Sequence, residues 1–254
     1  MDLRTRLFFP LFLSLLVFLL LWGAGIFFIV ILARPVVVVP PRPEVTLTFP
    51  EGFASRDIAA RLTEAGLPGE EFLGLVQLRR LAGRLFPDTY RFFLDSSAED
   101  IVSRFLANFE RQLTPELRAE ILRQGKTAEE VLTMASLIEK EVRGPTDRAI
   151  VSGILWKRLA LGIPLQVDAT LAYITGKKDT RFSQAETRIE SPYNTYLYLG
   201  LPPGPIANPG FESIQAALYP APSPYLYYLS AKDGTTIFSR TLQEHNLAKA
   251  RYLQ

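Results

Sequence analysis

A long stretch without charged residues near the N-terminus is the strongest constraint on this chain. The sequence contains no Asp, Glu, Lys or Arg from Leu7 to Leu32. A helix of that length, at about 1.5 Å per residue, exceeds the roughly 30 Å hydrocarbon core of a bilayer. The apolar part of a cleaved secretory signal is shorter, about 7 to 15 residues, and no Ala-x-Ala-like site follows here. We therefore predict that residues 1–34 form a cytoplasmic tip and a transmembrane anchor.

Composition argues against several classes of function for the rest of the chain. The formal net charge is only +2, a positive field too small to indicate a nucleic-acid partner. The chain has no cysteine and a single histidine, His245, so disulfides, cysteine nucleophiles and histidine-rich metal sites are not expected. The motifs of serine hydrolases, zincins, P-loop proteins and dinucleotide-binding proteins are also missing. We predict no metal and no cofactor.

Three segments follow the anchor. The prolines of residues 35–44 favour extended polyproline geometry and predict a semi-rigid stalk. Residues 45–110 contain two strand patterns that flank two helical ones, which predicts a βααβ module of the size of a LysM module. A connecting helix follows, and Ser97 with Asp100 three residues later predicts a capping box at its start. This module could bind glycan or act as a spacer. Residues 111–254 begin with helical patterns and become rich in proline and tyrosine from Pro192 to Tyr228, so we predict an α+β fold overall.

One acidic residue stands out on a helix predicted from Thr127 to Val142. At 100° per residue, Glu141 falls on the apolar arc of this helix, and Glu139 falls at the border of that arc. The polar side chains occupy the opposite arc: Thr133, Ser136 and Lys140. We therefore expect only one of the two glutamates to be buried, and Glu139 is kept as a candidate accessory residue.

Burial would give Glu141 the property that a general acid requires. A buried carboxyl without a positive neighbour has a raised pKa, which keeps it protonated near neutral pH. The alternative is a structural ion pair between Glu141 and Arg143, Arg148 or Arg158, because such pairs also perturb carboxylates. The sequence pattern alone leaves both interpretations open.

Blocks throughout the chain resemble the signatures of the endolytic murein transglycosylases, the YceG-like family. The blocks occur in the family's order: Leu85–Tyr90, Met134–Glu141, Leu165–Thr170, Ser191–Tyr196, Gly200–Ile206, Asn208–Gly210 and Pro224–Tyr228. The resemblance covers roughly residues 45 to 254. Two departures are visible: Ala169 stands where proline is usual, and the segment before the LysM-like module is too short to contain a second such module.

This resemblance implies a lytic transglycosylase that cleaves the bond between N-acetylmuramic acid and N-acetylglucosamine in peptidoglycan. The products carry 1,6-anhydro ends, and the implied role is to terminate or trim nascent glycan strands. Glu141 is the implied catalytic acid and base, and residues 111–254 the implied catalytic domain. The family also implies a bacterial plasma (inner) membrane protein with one span, residues 7–32, a cytoplasmic N-terminus and an extracytoplasmic enzyme. The expected partners are glycan strands and peptidoglycan synthases, with no nucleic acid.

The matching blocks supply polar side chains of the kind that bind uncharged N-acetyl sugars. These candidate substrate-binding residues are Gln166, Asp168, Ser191, Tyr193, Asn194 and Thr195. Simpler roles stay open, because Asp168 could cap a helix that begins at Ala169 and Asn194 could brace its own loop. We expect His245 to be structural.

Two other functions remain as alternatives. A hydrolase would require a second carboxylate beside the acid, with Asp168 or Glu190 as candidates. A non-catalytic, membrane-anchored scaffold would use the same blocks to bind peptidoglycan within the cell-wall synthesis machinery. The products distinguish these functions: a transglycosylase makes 1,6-anhydro ends, a hydrolase makes reducing ends, and a scaffold leaves the glycan strands unchanged.

Overall fold

We analysed a computed structural model of the chain, which describes residues 13–24, 27, 41–177 and 182–253. The chain divides into two units, Met1–Arg42 and Pro43–Gln254. In the first unit, residues 13–24 are helical. None of the helices in the described ranges is long and apolar enough to cross a membrane. Half of the predicted span, residues 7–32, and most of the predicted stalk, residues 35–44, lie outside the described residues, so both stay predictions.

The second unit begins with the βααβ order that the sequence predicts. Its elements are β1 (Glu44–Phe49), α1 (Ser55–Glu64), α2 (Gly69–Leu78) and β2 (Asp88–Phe93). The two strands are antiparallel, with Val45 opposite Phe92 and Leu47 opposite Tyr90. Strand and helices enclose an apolar core, because the strand side chains alternate between the two faces.

The connecting helix, α3 (Ala98–Gln112), belongs to this first core rather than to a linker. It starts at the predicted capping box, in which Ser97 accepts a hydrogen bond from the backbone of Asp100. The fully buried ring of Phe105 lies at the centre of the core. Its centroid is 4.4 to 6.3 Å from those of four aromatic rings: Phe49, Phe72, Tyr90 and Phe92.

The remainder of the unit combines helices with one small hairpin, which agrees with the predicted α+β class. The helices are α4 (Pro115–Arg123), α5 (Ala128–Glu141), α6 (Pro145–Ala160), α7 (Asp168–Thr175), α8 (Phe211–Leu218) and α9 (Leu242–Tyr252). The antiparallel hairpin consists of β3 (Tyr227–Ser230) and β4 (Thr236–Ser239). Helix α5 lies within the second core, against which α6 and α8 pack.

The predicted division of α5 into an apolar and a solvent-exposed face is wrong. Eight consecutive residues, Val131 to Ile138, are buried. Ser136 is buried because its hydroxyl donates to the carbonyl of Thr133 (2.7 Å) and accepts from the backbone N–H of Ile206 (3.0 Å). Burying a polar side chain costs little free energy when it is hydrogen-bonded in this way. The polar residues of α5 therefore did not identify a solvent-exposed face of the helix.

Asn208 joins the two cores. Its Oδ1 accepts from the backbone N–H of Leu85 (3.0 Å), and its Nδ2 donates to the carbonyl of Phe53 (2.9 Å). Its backbone also exchanges hydrogen bonds with Gly52 and Phe53 (2.9 Å each). The residues from Pro43 onward therefore form one compact unit with two cores, and the predicted boundary between residues 110 and 111 stays a prediction.

Candidate functional site

Glu141 is the last residue of α5, and the chain becomes extended at Val142. The side chain is only partly accessible. Its Oε2 accepts a hydrogen bond from the hydroxyl of Tyr228 (3.0 Å), and its Oε1 accepts one from the backbone N–H of Ala169 (3.4 Å). Burial, followed by the negative charge of Asp168, raises the pKa of Glu141 to about 7, against the opposing effect of both hydrogen bonds.

None of the three candidate arginines forms an ion pair with Glu141 among the described residues. Arg143 is exposed, Arg148 pairs with other carboxylates, and Arg158 donates from Nη2 to Oε1 of Gln166 (2.6 Å). The interpretation that Glu141 forms a structural ion pair with one of these arginines is therefore wrong. Burial is the main cause of the raised pKa of Glu141.

Glu139, two residues before Glu141 in α5, has a different environment. The Glu139 side chain is only 6% exposed, so the prediction that only one of Glu139 and Glu141 is buried is wrong. Its Oε1 lies 3.4 Å from Nη2 of the buried Arg148, and its Oε2 accepts from the backbone N–H of Gly210 (3.0 Å). Glu139 is thus held in an ion pair that fixes the end of α5, and the assembly around Glu141 does not include its carboxylate.

Asp168 directly precedes Ala169, whose backbone N–H donates to Oε1 of Glu141 (3.4 Å), and the charge of the Asp168 carboxylate raises the pKa of Glu141. The prediction that Asp168 caps a helix is wrong, because Asp168 is the first residue of α7 and the N-cap is Val167. Its Oδ1 instead accepts a short hydrogen bond from the hydroxyl of Tyr196. Burial raises the pKa of Asp168 as well. The site therefore contains two carboxyl groups, and each accepts a hydrogen bond from one tyrosine.

A buried arginine contacts Gln166 and Tyr227. Arg158 is 5% exposed, and its guanidinium lies 5.4 Å from the ring centroid of Tyr227. Its partner Gln166 has a positive φ of 54°, a conformation that is uncommon for residues other than glycine. The backbone N–H of Gln166 donates to the carbonyl of Thr195 (3.0 Å). Arg158 and this backbone bond together hold Gln166 in its strained position before α7.

The block from Ser191 to Thr195 has two kinds of side chain. Asn194 and Thr195 are 0% and 2% exposed, so a substrate cannot reach them in this structure. Asn194 braces the loop by donating to the carbonyls of Thr187 (3.2 Å) and Ile189 (2.8 Å), as the simpler role predicts. Ser191 and Tyr193 are partly accessible, and the ring of Tyr193 lies 4.8 Å from that of Tyr173.

Glu190 and His245 do not belong to the pair of carboxyl groups formed by Glu141 and Asp168. Glu190 is exposed and lines a pocket of about 500 Å³ together with Ser191, Tyr198 and neighbouring apolar residues. His245 is 8% exposed, and its ring stacks on that of Tyr227 with centroids 5.3 Å apart. Burial lowers the pKa of His245 to about 4. No group of three His, Asp or Glu side chains in the described part of the chain is arranged to hold a metal ion.

Three residues at the site were not predicted from the sequence: Arg158, Tyr196 and Tyr228. Tyr196 ends the block Ser191–Tyr196 and Tyr228 ends the block Pro224–Tyr228, so motif membership was a signal for both. Arg158 was considered only as an ion-pair partner. Nothing in the local pattern could pair Tyr228 with Glu141, because 87 positions separate them.

Comparisons with known proteins bear on the family of this chain. The sequence model of the YceG-like family matches residues 31–251. A protein from Bacillus subtilis (strain 168) named endolytic murein transglycosylase is 41% identical over 174 residues, which are 68% of this chain and 48% of that protein. A protein of the same name from Streptococcus pneumoniae serotype 2 is 29% identical over 82% of this chain and 44% of its own length. This chain therefore spans about half the length of these relatives.

A solved structure extends the similarity to three dimensions. The 2.6 Å crystal structure of a YceG-like protein from Listeria monocytogenes is 33% identical in sequence to this chain. The two superpose with a TM-score of 0.73, over 83% of this chain and 77% of that one.

Proposed function

Because the chain belongs to the YceG-like family, we propose that it is an endolytic lytic transglycosylase that cleaves peptidoglycan glycan strands. Its two curated relatives carry the name endolytic murein transglycosylase. The observation that carries the proposal is Glu141, a carboxyl with a pKa of about 7 that is free of any ion pair among the described residues. A group of that pKa donates and accepts a proton with similar ease near neutral pH.

In the proposed reaction, Glu141 first acts as the general acid. It protonates the glycosidic oxygen between N-acetylmuramic acid and N-acetylglucosamine, the bond from that oxygen to C1 breaks, and an oxocarbenium-like state forms at C1. The partial burial of Glu141 favours this step, because it keeps a large fraction of the carboxyl protonated.

Glu141 then acts as the base. It accepts the proton of the muramoyl C6 hydroxyl while that oxygen forms a bond to C1, which closes the 1,6-anhydro ring and returns the carboxyl to its acid form. The nucleophile is part of the substrate, so its high effective concentration replaces a second enzyme group if the sugar is held in the reacting conformation.

We propose that the accessible polar side chains around the acid hold the sugar. Gln166 is exposed, and Ser191 and Tyr193 are partly accessible. These residues offer an amide, a hydroxyl and an aromatic ring, which suit an N-acetyl sugar. Asn194 and Thr195 contribute indirectly, because they fix the backbone that carries these groups. The LysM-like module, residues 45–110, would then act as a further glycan contact or as a spacer.

Hydrolysis is a second candidate, and the position of Asp168 favours it. A hydrolytic glycosidase uses two carboxyl groups, and Asp168 supplies a second one beside Glu141. In that reaction Asp168 would activate a water molecule that attacks C1, and the product would carry a reducing end instead of an anhydro ring. Glu190 is the weaker candidate for this role, because it is exposed, whereas Asp168 is partly buried.

The proposed location is the bacterial plasma membrane. The uncharged segment, residues 7–32, would cross the membrane once, with the N-terminus in the cytoplasm and residues 43–254 outside, next to the glycan strands that synthases extend. A non-catalytic scaffold is the less favoured alternative, because it would not require a carboxyl with a pKa near neutrality.

The decisive experiment compares Glu141→Gln with Glu190→Gln, a matched change of an exposed glutamate. Each full-length variant is incubated with nascent, uncrosslinked glycan, and the products are measured by mass spectrometry. We expect wild type and Glu190→Gln to produce anhydro ends, which are lighter than reducing ends by one water, and Glu141→Gln to produce none. Full activity of Glu141→Gln would refute the assignment, reducing ends would favour the hydrolase, and binding without cleavage by wild type would favour the scaffold.

A further inference from the structure

The contact between Tyr228 and Glu141 assigns different tasks to the two oxygens of the carboxyl group. The Tyr228 hydroxyl donates to Oε2 at 3.0 Å, a normal hydrogen-bond distance. We propose that Tyr228 is a positioning residue, which holds Oε2 and leaves Oε1 as the atom that gives and takes the proton. This inference rests on the proposed function for the reaction, but the hydrogen bond itself can be tested without any substrate.

The chemistry of a carboxylic acid explains why the proton would reside on Oε1. In the neutral acid one oxygen is a hydroxyl and the other is a carbonyl, and the carbonyl oxygen is the better acceptor. Oε2 accepts from a tyrosine hydroxyl, so the carbonyl character belongs there. The backbone N–H of Ala169 lies 3.4 Å from Oε1, beyond the usual range of about 2.7 to 3.2 Å. Oε1 therefore keeps the capacity to carry a proton.

Tyr228 remains a donor under all conditions in which the enzyme would work. Burial and the neighbouring carboxylate raise the pKa of Tyr228 well above its usual value, so its hydroxyl does not ionise. Two charged side chains act on this pair directly, Arg158 on α6 and Asp168 on α7. The titratable groups around those two are Tyr196, Tyr227, His245 and Lys249. Asp168 raises the pKa of Glu141 and Arg158 lowers that of Tyr228.

The neighbouring tyrosine provides a matched control. Tyr227 and Tyr228 are consecutive in β3, and successive strand residues point to opposite faces. The ring of Tyr227 stacks on His245 and lies below Arg158, whereas the ring of Tyr228 packs against the second core. Replacement by phenylalanine removes only the hydroxyl in each case, so the packing of the ring is kept in both variants. The hydrogen bond to Glu141 is lost only in Tyr228→Phe.

The experiment measures the carboxyl titration of Glu141 by ¹³C NMR in the full chain labelled at glutamate, with Glu141→Gln to assign the signal. We expect the midpoint to rise from about 7 to about 8 in Tyr228→Phe, because the ionised form loses a hydrogen bond. Tyr227→Phe should leave the midpoint unchanged. On glycan, the alkaline limb of the pH–rate profile should move upward by the same amount, and kcat should fall about tenfold with little change in KM.

Two results would overturn the proposal. The first is an unchanged Glu141 titration in Tyr228→Phe, and the second is an equal change in both variants, which would indicate a general effect of the hairpin. If Tyr228→Phe does not fold, 3-fluorotyrosine incorporated at position 228 replaces it, and this stronger donor should lower the midpoint below that of wild type. If wild type cleaves no glycan, the proposed function fails, while the NMR titration still decides the role of Tyr228.

Discussion

The raised pKa of Glu141 predicts that this buried carboxyl lowers the stability of the fold at alkaline pH, so Glu141→Gln should be more stable than wild type there. The carboxyl titrates at 4.5 in an unfolded chain and at about 7 in the fold. Folding therefore disfavours the ionised form, and the free energy of unfolding falls as the pH rises through this window. A difference of about 2.5 pH units at 1.36 kcal/mol each gives about 3 kcal/mol.

Urea denaturation of the full chain at pH 4 and pH 8 measures this effect. At pH 4 the carboxyl is protonated in both states, so Glu141→Gln and wild type should unfold at similar urea concentrations. At pH 8 the variant should exceed wild type by up to about 3 kcal/mol, because the neutral amide does not ionise. Glu190→Gln replaces an exposed carboxyl and should follow wild type at both pH values.

The sign of the result decides the argument. If the stability difference is equal at pH 4 and pH 8, the folded-state pKa of Glu141 is not raised. If Glu141→Gln is less stable at pH 8 than at pH 4 relative to wild type, the ionised carboxylate stabilises the fold and the proposed acid is a structural anion. Either outcome would remove the physical basis for proton transfer by this group.

Two further predictions concern the packing around the site. Arg148→Met should lower the free energy of unfolding by about 3 kcal/mol, measured by urea denaturation, because it leaves the buried carboxylate of Glu139 without its partner; adding Glu139→Gln should restore part of the loss. Gly153→Ala should lower the melting temperature, because its Cβ would lie 2.1 Å from the carbonyl oxygen of Ala221, whereas Gly74→Ala meets nothing within 4 Å and should raise it.

Local patterns predicted the parts of the fold that depend on local physics. The βααβ order and the capping box at Ser97 follow from alternation and from spacing within a few residues, and both are present. The same is true of the helix that ends at Glu141. Such a pattern indicates which side chains of one helix or strand must be buried or capped. It does not indicate which other helix, strand or loop will cover them.

The errors arose where distant segments met. Ser136 reads as a surface residue until the backbone of Ile206 supplies its hydrogen bond. Glu139 reads as half exposed until Arg148, from the next helix, covers its carboxylate. Tyr228 reads as one tyrosine among several until the hairpin brings it to Glu141. Each contact joins segments whose approach is set by the whole second core, so no periodicity within one helix could reveal it.

The position of the acid between two helix ends explains how one group can serve in both directions. Glu141 is the last residue of α5, where the helix dipole is negative and disfavours a carboxylate. Its Oε1 faces the backbone N–H of Ala169 in the first turn of α7, where the dipole is positive and favours a carboxylate. The charge of Asp168 and burial then favour the neutral form, and the Tyr228 hydroxyl favours the ionised one. Because the net result is a pKa of about 7, the neutral and ionised forms have similar populations near neutral pH. The proposed transfer of a proton to one sugar and from the next therefore requires little free energy in either step.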